Sequence, residues 1–119
     1  MQKIYSTVPR KLQSSQPDRL YHLTTGTHKI ATLTNITYDD LVRNFGVPSI
    51  NQPSYDDKVQ VEWVFEFENN IYTVYDWKTY DRDYTLQELD HWSIGGKDID
   101  HSFFRALEEA IDRTVLIKI

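Results

Sequence analysis

The sequence predicts an α+β fold: a mainly antiparallel sheet of about five to six strands, with one short and one longer helix packed on one face. Three stretches predict it. Between Lys58 and Glu68, Val59, Val61, Trp63, Phe65 and Phe67 alternate with mainly polar residues, the period of two that sends successive side chains to opposite sheet faces. Asn69-Asn70 then separates this run from a second one, Ile71 to Trp77, and asparagine tolerates the positive φ of a tight hairpin turn. Thr37 to Gly46 and Asp98 to Arg113 carry helix start signals and apolar stripes at three- and four-residue spacing.

Taken in order, the chain begins with Pro9, Pro17 and Gln13-Ser-Ser-Gln16, so residues 1–19 read as an irregular N-terminal segment with a short extended piece at Ile4-Tyr5. Leu20–Thr25 and Lys29–Thr34 flank Gly26 and are rich in Thr and alternating apolar residues, which predicts a strand on each side of a turn. In the short helix Thr37 is the N-cap, Asp40 is placed to reach back to it, and Gly46 supplies the left-handed residue after the last turn. Leu41, Val42 and Phe45 form its apolar stripe. Pro48 and Pro53 keep the following segment a loop.

A two-residue Asn-Asn turn would pair Phe67 with Tyr72, Phe65 with Val74 and Trp63 with Asp76 on a core face. The other face would carry Val64, Tyr75 and Trp77 among glutamates, too apolar to lie wholly in water, so it calls for cover by another element or a partner. Residues 78–89 are polar, and Tyr80-Asp-Arg-Asp-Tyr84 reads as a loop tip. His91–Ile94 is a short strand ending at Gly95-Gly96. Asp98 or Asp100 caps the longer helix, with Ile99, Phe103, Leu107, Ala110 and Ile111 on one face. Val115, Ile117 and Ile119 alternate into a last strand.

The 119 residues suit a single domain, able to bury about two-thirds of its unfolded surface. Aromatics make up 13%, so the core is expected to depend on large flat side chains. With no cysteine, disulfide frameworks and thiolate metal sites are excluded. No apolar run reaches the roughly 18 residues of a membrane span, and the first residues lack a signal-peptide core. A cytoplasmic protein with no membrane contact is the expectation. The net charge is -5, unevenly spread: residues 50–100 hold twelve acidic and four basic side chains, whereas residues 1–49 hold three and six. A phosphate backbone would be repelled by the acidic part, so direct nucleic-acid binding is not expected.

Motifs for catalysis are thin. His91 and Ser93 share a strand face but lack an orienting third group, and no Gly-x-Ser-x-Gly elbow is present. Asp81 and Asp83 lack the remaining ligands of a calcium loop, and Asp98 with Asp100 reads better as helix capping. Glu62, Glu66 and Asp76 read as strand acids rather than a glycosidase pair. No enzyme activity, metal or cofactor is expected. A small hydrolase is the least favoured reading.

Tyr38-Asp-Asp-Leu-Val-Arg-Asn-Phe-Gly-Val-Pro48, Val61-Glu-Trp-Val-Phe65, Tyr72-Thr-Val-Tyr-Asp-Trp-Lys78 and Trp92-Ser-Ile-Gly-Gly96 resemble small phage-encoded proteins with a helix ending in Phe-Gly-x-Pro, a Tyr-Asp-Trp-Lys strand end and a Trp-x-Ile-Gly-Gly turn. The resemblance covers about residues 36–105 and carries no catalytic residues with it. It implies a virus or mobile-element setting, and in size and acidity the chain resembles anti-CRISPR and other anti-defence inhibitors. The expected function is therefore a non-enzymatic accessory protein that binds a host protein or ribonucleoprotein complex through an acidic surface. Glu62, Glu66, Glu68, Asp81 and Asp83 would supply charge, and Tyr75, Trp77, Tyr80 and Tyr84 contact area. The alternative is a sponge for a nucleotide-like immune signal, held by Arg43, Trp92, Lys97 and His101, with a homodimer compatible with it.

Overall fold

A computed structural model describes residues 8–80 and 82–119, with backbone alone at 82–84. The expected extended piece at Ile4-Tyr5 lies outside the described residues. Among those described, the elements run β1 (Arg10–Lys11), α1 (Pro17–Leu23), β2 (His28–Thr34), α2 (Tyr38–Phe45), β3 (Glu62–Phe67), β4 (Asn70–Tyr75), α3 (Arg82–Glu88), β5 (His91–Gly96), α4 (His101–Ala110) and β6 (Leu116–Lys118). The six strands form one sheet in the order β1-β3-β4-β5-β2-β6, every neighbouring pair antiparallel. The molecule is thus α+β with an antiparallel sheet, as the periodicity predicts.

Two helices stand where the sequence predicts other structure. The strand expected at Leu20–Thr25 is replaced by α1, whose Pro17 sits at the first helical position with Asp18 in the first turn. Both features suit a helix N-terminus and outweigh the strand preference of the threonines. The expected loop tip after Tyr80 contains α3. Within the segment expected to be irregular, β1 pairs with Glu66 and Phe65, and the Leu12 amide donates to Val64 O at 2.8 Å.

The central hairpin forms, with its turn one residue earlier than expected. Phe67 pairs with Asn70, Phe65 with Tyr72 and Trp63 with Val74. Glu68 and Asn69 occupy the turn at φ 50° and 66°, the left-handed pair that a type I′ turn requires. Moving a two-residue turn by one position shifts the pairing by two, so each side chain keeps its predicted face.

The face carrying Trp63, Phe65, Val74, Trp92 and Ile94 is the main core, closed by Leu41 of α2, Leu86 of α3, and Phe103, Phe104, Ala106 and Leu107 of α4. It is built on aromatic contacts, as the composition predicts. Trp63 and Trp92 meet edge to face at 5.7 Å, and Tyr72 stacks on Phe103 at 3.9 Å. Each buried indole N–H has an acceptor, Gly46 O for Trp63 and Ile36 O for Trp92, both at 2.9 Å. On the opposite face Leu20 of α1 and Ile50 bury Val64, with Leu12, Tyr21 and Ile71 around them. The cover that this face calls for is thus supplied at Val64 by the chain itself.

The capping box of α2 is present: Asp40 N–H donates to Thr37 Oγ1, and Thr37 N–H to Asp40 Oδ2. The buried Asp40 carboxylate also meets Arg43 at 2.7 Å and Arg113 at 2.6 Å, and Arg43 continues to Asp112 at 3.0 Å. These bonds tie α2 to the turn after α4. Asp100 caps α4, accepting from the Ser102 and Phe103 amides. Ile99 precedes the helix and is exposed, and Ile111 is already extended, so α4 is shorter than predicted. Gly95 and Gly96 lie inside β5, paired with Lys29 and His28, rather than in a turn. A Cβ on Gly95 would sit 2.5 Å from Thr73 Oγ1, and one on Gly96 2.9 Å from Ile30 Cδ1. The pair serves close side-chain packing across strands.

Candidate partner-binding site

The end of β4 is braced from beneath. Asp76 is buried, and its Oδ1 accepts from the amides of Gln60 at 2.8 Å and Val61 at 3.0 Å. Its second oxygen is buried with no hydrogen-bond partner among the described residues, and burial pushes the carboxyl above its ordinary range. Lys78 N–H donates to Lys58 O at 2.6 Å. These bonds fix residues 58–61 against residues 76–79. Trp77, between two of those braces, is turned outward and 53% exposed, and Tyr80 is 57% exposed.

Of the residues expected to meet a partner, Trp77, Tyr80 and Glu68 lie at the surface. Glu66 forms an ion pair with Arg10 of β1 at 2.8 Å. Glu62 and Tyr75 stand side by side on paired strands and are largely covered. Asp81 lies outside the described residues, as do the side chains of Asp83 and Tyr84. The glutamates of β3 therefore do not form one open acidic surface, because the chain folds β1 and α1 against that strand.

Glu62 has a chemistry of its own. Burial, with the nearby Asp76 charge as a smaller cause, pushes its carboxyl up to about 7. The Thr73 hydroxyl faces it from β4, close enough to favour the charged form though short of full hydrogen-bond geometry. Burial and the Glu62 charge together raise the phenols of Tyr75 and Tyr21. A carboxyl that ionises near neutrality beside two phenols can hold or release a proton.

The four residues of the alternative ligand site are not brought together. Trp92 is 1% exposed and packed against Trp63 and Tyr38, so it offers no stacking surface. Arg43 is engaged by Asp40 and Asp112. Lys97 lines a cleft with Asn69, Asn70, Asp98 and Ile99, and His101 lines another with Phe104, Glu108 and Ile119. Strand packing decided this, since the Trp-x-Ile-Gly-Gly run lies within β5 and points its indole into the core. Among the described residues no group of three His, Asp or Glu is placed to hold a metal ion, and no helix is long and apolar enough to cross a membrane.

Sequence reasoning missed Tyr55, Lys58 and Lys78. Tyr55 is 97% exposed on a tight turn in which Ser54 Oγ donates to Asp56 Oδ1 and Val59 N–H donates back to Ser54 Oγ. Ser54-x-Asp56 is a turn-forming pattern that flags this presentation. The two lysines carry no comparable signal, because they are twenty residues apart and meet only when the hairpin closes. No protein-family model matches the chain, and no curated protein or solved structure is significantly similar to it.

Proposed function

We propose that this protein is a non-enzymatic accessory protein of a virus or mobile element, which binds a host defence complex that acts on nucleic acid and inhibits it from within the host cytoplasm. The observation that carries the binding role is the pair Trp77 and Tyr80, two large aromatics left in water on a backbone braced by buried Asp76. Exposed aromatics on a fixed backbone are the side chains that dominate protein interfaces, since they add contact area at little ordering cost. The virus setting and the class of partner rest on the resemblance of the Phe-Gly-x-Pro, Tyr-Asp-Trp-Lys and Trp-x-Ile-Gly-Gly stretches.

The test uses the full chain and its Trp77→Ala/Tyr80→Ala variant as baits in a host lysate. The expected outcome is a nucleic-acid-cleaving or nucleic-acid-binding complex retained by the first bait and lost from the second. Its activity should fall when the unaltered protein is added. Equal retention by both baits, or retention without inhibition, would refute the reading.

A further inference from the structure

We propose that Trp77, Lys58 and Lys78 form an anchor for a short acidic segment of the partner, one that carries Asp or Glu on either side of an aromatic or aliphatic residue. The inference rests on the reading above only for the partner's being a protein.

Trp63 and Trp92 are spent in the core, whereas Trp77 is about half exposed. The ammonium of Lys58 stands 5.7 Å from the Trp77 centroid and that of Lys78 5.9 Å, within the range at which a cation is attracted to an indole. Among the described residues neither lysine makes an ion pair. Asp56, which acts on Lys58 through space, is already occupied by the Ser54 hydroxyl and the Lys58 amide. Two ammonium groups, neither in an ion pair among the described residues, thus lie beside one apolar ring. That is the complement of carboxylates flanking an apolar side chain.

The backbone beneath is strained and held. Asp57 and Lys78 both have left-handed φ, 60° and 58°, a conformation that costs a residue with a Cβ about 1–2 kcal/mol. It persists because the bonds from Gln60 and Val61 to Asp76, and from Lys78 to Lys58, over-determine the local path. The lysines come from residues 58 and 78, whose backbones are joined by the Lys78 N–H to Lys58 O bond, so both side chains start from one fixed piece of chain beside Trp77.

Charge then selects the occupant. Residues 50–100 are strongly acidic as a whole, yet the charges at the ring are positive. A basic surface would be drawn to the acidic segment and then meet two ammonium groups at the aromatic anchor, a like-charge contact that disfavours it. A nucleic acid could release only about two counterions at two lysines, and the surrounding acids would repel the rest of its backbone. A short peptide segment with one or two carboxylates at the ring pairs with both lysines and, unlike a phosphate backbone, brings few further negative charges against the surrounding acids.

A random heptapeptide phage library selected on the immobilised full chain tests this. Expected are peptides enriched in Asp or Glu around an apolar residue. Once synthesised, they should bind the unaltered protein by calorimetry and bind Lys58→Glu/Lys78→Glu and Trp77→Ala at least tenfold more weakly, with the urea midpoints of both variants unchanged. Enrichment of Lys or Arg, equal binding to the variants, or no enrichment would overturn the proposal. So would a shift of Trp77 emission by oligo-dT at 0.15 M salt, which would assign the patch to nucleic acid. If host capture fails while acidic peptides still bind through Trp77, the defence reading alone is wrong. If host capture depends on Trp77 but the selected peptides are basic, only the chemistry of the anchor is wrong.

Discussion

Glu62 shows what one side chain contributes when a sheet face is closed over it. Its carboxyl titrates near 7 in the folded chain against an ordinary 4.5, so the native state holds a proton that the unfolded chain has lost. Stability is therefore highest below about pH 4.5 as far as this group is concerned, falls as pH rises through 7, and is constant above it. The loss amounts to roughly 3 kcal/mol. Glu62→Gln should flatten the stability profile between pH 4.5 and 7, checked by urea unfolding at a series of pH values; an unchanged slope would assign the dependence elsewhere. Asp40 has the opposite sign. The Thr37 amide, Arg43 and Arg113 hold its carboxyl far below the ordinary range, so it stabilises above about pH 4 and its contribution is lost in acid. Asp40→Ala removes the capping box and the anion shared by two solvent-exposed guanidinium groups and should cost about 1–2 kcal/mol, read as a lowered urea midpoint at pH 7.

At the scale of elements, the glycines of β5 set how closely strands can carry their side chains. Thr73 Oγ1 lies where a Gly95 side chain would begin. Gly95→Ala should therefore cost about 1–3 kcal/mol through overpacking. A Thr73→Ala background should recover part of it in a double-mutant cycle; additive losses would show that the clash is not with Thr73. The second face of the hairpin is likewise decided between elements. Val64 looked in need of a cover, and α1 provides it through Leu20. Leu20→Ala should destabilise by about 2–4 kcal/mol and raise hydrogen exchange along β1 and β3, which would be absent if α1 were a loosely attached arm.

For the whole molecule, the division between folding and binding surfaces is the useful one. Trp77→Ala touches a ring that the core does not use and should change stability by no more than about 0.5 kcal/mol, while removing partner capture. An equally large loss of stability would return Trp77 to the fold. What the sequence by itself determined was the type of most elements and their facing: the alternation from Lys58 to Trp77, the Thr37/Asp40 capping box, and the apolar stripe of Phe103, Leu107 and Ile111 are local signals, set by residues a few positions apart. The same logic fails at α1, where threonines suggested a strand but Pro17 and Asp18 started a helix. Only the tertiary structure decided which glutamates stay open, that Trp92 is core rather than ligand surface, and that Lys58 and Lys78 converge on Trp77. The physical reason is that charge pairing and burial depend on contacts between strands distant in sequence. A period of two tells which face a side chain takes and leaves open what the rest of the chain lays upon it.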